Sequence, residues 1–310
     1  MDLRQHLRDG RGEFLLFAIT PPRASTKPER LETIAESTLR RLESLDPDGV
    51  ILYDIAEEND RNPDARPFPF LPTVDPAHYL ADYLSGPLGG WQKPTIVYRS
   101  VGKYPEPSFE AWLAEQPTDR VLSVLVGSSS SVNPGLTSLK RAYALREAVQ
   151  PDLTIGAVVI PERHAARGDE HLRMLDKQAA GCSFFVSQVL YDVNAAKNLV
   201  CDYRDECDAR GISPRPIAFT LSVCGSVKTL EFLTWLGVQV PRWIQRDLTR
   251  SDDTLAASYD QVRAMALDML AYCRRLDVPV GFNVESVSTR KVEIEAAVRL
   301  AGEVRASLRR

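Results

Sequence analysis

Short apolar runs alternate with longer amphipathic stretches from one end of this chain to the other. The runs that read as strands are Glu13–Ile19, Gly49–Ile55, Thr95–Ser100, Val121–Gly127, Leu153–Ile160, Ser183–Tyr191, Pro216–Val223 and Val280–Val287. Helical spacing of apolar positions predicts helices over Lys27–Leu45, Leu136–Val149, Glu170–Ala180, Ala195–Arg210, Val227–Leu236, Thr254–Leu276 and Lys291–Leu308. Each strand is close to continuously apolar, as expected where both faces of a parallel sheet are buried. Parallel neighbours need a crossover, and the helices supply it. Eight such units close most simply as a single (β/α)8 barrel of the α/β class, with a doubly wound open sheet as the alternative.

No Pro/Gly/Ser linker divides the chain, so residues 1–310 are read as one catalytic barrel domain of ordinary length for this fold. The chain stops at Arg310, just past the last predicted helix, so no regulatory extension is expected. With 44% hydrophobic residues it can bury a large core. A net charge of -4 without a concentrated basic face argues against a nucleic-acid partner. No apolar run approaches the ~20 residues of a spanning helix, and the polar start MDLRQHLRDGRGE is not a signal peptide. The five cysteines are widely spaced without a CxxC pair, which fits a reducing cytoplasm rather than a disulfide framework. The four histidines (His6, His78, His164 and His171) lack HxH or HxxxH spacing, so no metal site is expected.

In a (β/α)8 barrel, ligand groups come from the strand C-termini and the loops after them. Those positions hold Thr20 to Arg23, Tyr53 and Asp54, Glu57 to Asp60, Tyr98 and Arg99, and a serine run, Ser128 to Ser131. They also hold Glu162 to His164, Gln188, Asp192, Thr220, Ser222, Asn283 and Glu285. No GxGxxG or nucleophile elbow is present, so a Rossmann dinucleotide fold is not supported. A glutamine within a buried strand needs partners for both sides of its amide, which points Gln188 at a ligand or at an inward neighbour.

Four strings resemble the methylenetetrahydrofolate reductase family, in order and across nearly the whole chain. They are FAITPPR (Phe17–Arg23), IPERHAA (Ile160–Ala166), DKQAAGCSFFVSQVLYD (Asp176–Asp192) and QVPRWIQ (Gln239–Gln245). The resemblance implies reduction of 5,10-methylenetetrahydrofolate to 5-methyltetrahydrofolate with NAD(P)H, feeding one-carbon metabolism and methionine biosynthesis, with FAD as the hydride relay. It places Gln188 on the pterin, with Ser128 and Arg290 as further substrate contacts. Tyr53, Glu162 and His164 fall beside the flavin, and Lys177 falls near its diphosphate or, alternatively, on a solvated helix face. Residue 289 or 290 stands where the family has an arginine.

The chain departs from the family at Ala18, which replaces the proton-donating glutamate, and at Leu125 to Ser128, which replace a segment with an aspartate. Opening the methylene bridge still needs a proton, so the donor is sought at Glu57 or Glu58 and then at Glu285. A flavin-free reductase, a folate- or flavin-binding accessory protein and a non-redox one-carbon enzyme remain open alternatives. The expected partner is a small folate, without membrane or nucleic acid, and a homo-oligomer stays open.

Overall fold

The computed structural model describes residues 2–57, 62, 64–86, 90–127 and 135–309. The elements run α1 (Leu3–Arg8), β1 (Leu15–Ile19), α2 (Pro28–Leu45), β2 (Gly49–Leu52), α3 (Pro76–Tyr79, continued by a π turn over Leu80–Leu84), β3 (Thr95–Ser100), α4 (Glu106–Glu115), β4 (Val121–Val126) and α5 (Leu139–Val149). They continue with β5 (Ile155–Val159), α6 (Pro161–Arg167), α7 (Glu170–Ala179), β6 (Cys182–Val189), α8 (Val193–Arg210), β7 (Ile217–Ser222), α9 (Val227–Trp235), α10 (Arg242–Arg250), α11 (Thr254–Arg275), β8 (Val280–Glu285) and α12 (Lys291–Leu308). The strands follow one another from β1 to β8 in a closed parallel sheet, so the fold is a (β/α)8 barrel. By packing, the chain forms two compact units, Met1–Arg4 with Ala18–Gly156 and Gln5–Phe17 with Ala157–Arg310.

In the first unit, β3 is in register with β2 from Val50↔Thr95 and with β4 from Thr95↔Val121. The strand cores are fully buried at Ile51, Val97 and Val124. Ser123, polar in the middle of β4, is satisfied by donating to the Val97 carbonyl at 2.7 Å. Strand β2 stops at Leu52, short of the predicted Ile55, because the backbone there leaves the ladder and Asp54 turns into a side-chain network.

In the second unit, β7 and β8 pair along their full length, from Ile217↔Val280 to Ser222↔Glu285. One face of this pair carries Phe219, Leu221, Phe282 and Val284, the apolar side that the helical layer covers. The other, inward face carries Ala218, Thr220, Ser222, Gly281, Asn283 and Glu285. Gly281 is required there: a Cβ would lie 2.6 Å from the fully buried Phe14 ring, which plugs that space.

Candidate functional site

A polar chain crosses three strand ends of the second unit. Asn283 Nδ2 donates to Thr220 Oγ1 at 3.2 Å, and Thr220 Oγ1 donates to the Ser187 carbonyl at 2.7 Å. The Thr220 N–H returns a bond to Ser187 Oγ at 2.9 Å, and that hydroxyl donates to the Gln188 carbonyl at 2.6 Å. The register between β6 and β7 shifts between Val186 and Val189, so the irregularity falls on Ser187 and Gln188. Such bulges re-aim side chains at sheet ends. The half-buried Gln188 amide donates to the Leu236 carbonyl at 3.2 Å.

One step further along the same inward face, Ser222 stands in register with Glu285. Glu285 is 8% exposed, and the Ser222 hydroxyl is buried without a hydrogen-bond partner among the described residues.

Glu162 opens α6 and is buried. Burial pushes its carboxyl up to about 7, although its own N–H and that of Gln239 pull the other way, and Asp192 adds to the rise. Leu236 and Gln239 are therefore held by Gln188 and Glu162 respectively, which pins the α9–α10 connection. That connection lines an open groove of about 510 Å³ with Gly237, Gln239, Arg242 and Gln245.

Other expected residues have protein partners. The His164 ring nitrogen Nε2 sits 3.0 Å from Asp202 Oδ2 on α8, and its ring meets His171 edge-on at 5.2 Å. Lys177 donates to the Val158 carbonyl at 2.6 Å and faces Glu170 at 3.8 Å. Burial, with Arg163 and Arg173, lowers its pKa despite Glu170. Lys177 is therefore neither a solvated helix residue nor an unengaged cation. Arg290 Nη1 bridges the Gly225 carbonyl and the buried Glu293, both at 3.2 Å. Glu293 in turn accepts from the Gly225 N–H at 3.1 Å, so Arg290 is tied into the loop after β7.

In the first unit, Tyr53 packs edge-on against Tyr98 at 4.9 Å, and Glu57 is exposed. Glu58 and Ser128 lie outside the described residues. Asp54, expected among the strand-end polar residues, centres a network there whose partners Lys103 and Tyr104 the sequence did not single out: its carboxylate accepts from Ser100 N–H at 2.8 Å, Tyr104 Oη at 3.0 Å and Lys103 Nζ. Arg99 pairs with Asp75 at 2.5 Å while lying over the rings of Tyr104 and Trp112. Burial pushes the Asp75 carboxyl up, but Arg99 and the N–H groups of Ala77 and His78 outweigh it and hold it below the usual range. Burial and the Asp54 charge raise Tyr104. These are positioning groups for the β2 and β3 ends.

Among solved structures, an uncharacterized protein from Clostridium thermocellum is 36% identical to this chain, with a TM-score of 0.87. The match covers 98% of this chain and 99% of that one, and the Clostridium protein binds two copies of 5-methyl-5,6,7,8-tetrahydrofolic acid. The chain belongs to that protein's family. DmoA from Hyphomicrobium sulfonivorans matches 96% of this chain and 88% of its own at 13% identity and a TM-score of 0.53, which shows the barrel fold alone. No family model and no curated protein sequence matches the chain. The family shown for this chain is that of the Clostridium folate binder rather than the methylenetetrahydrofolate reductases that the sequence resembles.

Proposed function

We propose that this protein binds a reduced folate at its barrel and reduces 5,10-methylenetetrahydrofolate to the 5-methyl form with NAD(P)H. The observation that carries the reading is the end-to-end likeness to a protein that binds 5-methyltetrahydrofolic acid, the product of that reaction. The polar chain ending at Gln188 supports it, because it supplies fixed donors and acceptors of the kind a pterin edge needs.

Two of the four positions that the reductase resemblance offers to a flavin are engaged with the protein itself. Lys177 is spent on the Val158 carbonyl and Glu170, and His164 on Asp202. The reading is therefore direct transfer: a hydride passes from the dihydronicotinamide to the one-carbon unit, and a proton goes to the folate nitrogen released when the methylene bridge opens. Glu285 is the donor of that proton. It stands on the inward face in register with Ser222, two residues beyond Asn283 of the polar chain, whereas Glu57 is exposed.

The test is oxidation of NADH and NADPH by the purified chain, with and without methylenetetrahydrofolate, beside calorimetric titration with 5-methyltetrahydrofolate. Binding with folate-dependent oxidation supports the reading. Binding without turnover leaves the accessory-protein reading, which Ala18 favours because it cannot donate a proton. Absence of both sinks the folate assignment.

A further inference from the structure

Outside the strand ends, three side chains on three helices of the second unit converge. His164 lies on α6, His171 on α7 and Asp202 on α8, and one ligand atom from each lies within 4.8 Å of the others. They meet because Gly168, in a left-handed conformation at φ 71, ends α6 and lets the chain re-enter a helix two residues later. The second imidazole is thereby set against the first, at an interplanar angle of 88°.

Two features set this cluster apart from an ordinary surface pair. His164 is 5% exposed, yet its Nδ1 has no hydrogen-bond partner among the described residues, and neither does the buried Nδ1 of His171. Buried nitrogens of this kind are rare without an ion or ordered water to satisfy them. Three neighbouring cations already have acidic partners: Arg163 and Lys177 share Glu170 at 3.0 and 3.8 Å, and Arg173 pairs with Asp169 at 3.3 Å. Asp202, with a half-exposed side chain, is the carboxylate that faces the imidazole pair.

The geometry points to a divalent transition-metal site formed by His164, His171 and Asp202, a zinc-type site with two imidazoles and one carboxylate. Imidazole ligands favour zinc, nickel or copper over the oxygen-seeking magnesium and calcium. Ligands on tetrahedral zinc lie about 3.3 Å apart, given bonds of about 2.0–2.1 Å. The triangle therefore closes by side-chain rotation on binding, chiefly of the exposed Asp202. The ion enters among the three side chains, a water takes the fourth position, and α6, α7 and α8 are clamped together. This site is separate from the folate reading and stands or falls without it.

The test uses the full chain, stripped with a chelator and titrated with zinc and then cobalt. The expected result is one ion per chain, a raised melting temperature with zinc but not magnesium, and a cobalt spectrum free of a thiolate charge-transfer band. His171→Ala and Asp202→Asn should each weaken zinc binding by at least about tenfold while circular dichroism is unchanged. Asp202→Asn, at an exposed position, keeps the test valid if His171→Ala fails to fold. No zinc uptake, equal affinity in the folded variants, or a thiolate band reporting cysteine ligation would overturn the site.

Discussion

Gln188 Nε2 donates to the carbonyl oxygen of Leu236 across 3.2 Å, tying the irregular end of β6 to the connection between α9 and α10. The amide is therefore held before any ligand arrives. Replacing Gln188 with Ala removes both that tether and the fixed amide. The account predicts a loss of about 1–3 kcal/mol in the affinity for 5-methyltetrahydrofolate, with an unchanged fold. Calorimetric titration of the variant checks this, and parent-like affinity would remove Gln188 from the site.

Glu162 gives stability a pH dependence. Its folded pKa, about 7, lies above the ordinary value of 4.5, so the folded state holds the proton more tightly than the unfolded chain. The stabilisation is fully present below pH 4.5 and is lost as pH rises through about 7. The loss amounts to roughly 3 kcal/mol. Glu162→Gln cannot ionise, so the parent should lose about that much stability relative to the variant across the window. Urea unfolding of both proteins at several pH values reads the difference. A constant gap would show that Glu162 ionises normally.

Asp54 serves the first unit as a buried carboxylate with Lys103, Tyr104 and the Ser100 N–H around it. Asp54→Ala leaves those groups without their acceptor, and a destabilisation of about 1–3 kcal/mol is expected by chemical denaturation. A change within experimental error would mean the network is replaceable by solvent.

Gly281 and Phe14 form a steric pair, with the added Cβ 2.6 Å from the ring. Gly281→Ala should destabilise by about 1–3 kcal/mol, and Phe14→Leu in the same chain should recover part of it. Strict additivity of the two substitutions would contradict the contact.

The barrel was legible because its strands are nearly unbroken apolar runs. Thr95–Ser100 matches the predicted limits, and the others differ only at their ends. Helices α4, α6 and α10 escaped notice for local reasons. Helix α6 has only 7 residues, and α10 buries only Ile244 and Leu248, too few for a periodic signal. Glu162 stood out in the sequence as a polar residue at a strand end, but its raised pKa comes from burial by packing that no local pattern encodes. The partners of His164 and Lys177 were hidden for the same reason. Asp202 and Glu170 reach them through helix packing that no local spacing encodes.

Glu285 carries the proton in the proposed reaction. Glu285→Gln should lower turnover about 10²–10⁴-fold while folate still binds, and Glu57→Gln should turn over at the parent rate. Steady-state kinetics with each variant checks this, and an active Glu285→Gln would send the search for the donor elsewhere.

In the proposed reaction hydride passes directly from nicotinamide to a folate-bound carbon. Incubating the protein with methylenetetrahydrofolate and NADH carrying deuterium at both C4 positions, then weighing the product by mass spectrometry, tests it most directly. The expected product is 5-methyltetrahydrofolate with one deuterium retained in its methyl group. A methyl group free of deuterium would reveal a relay that exchanges with water, and no methyl product at all would contradict the reductase reading itself.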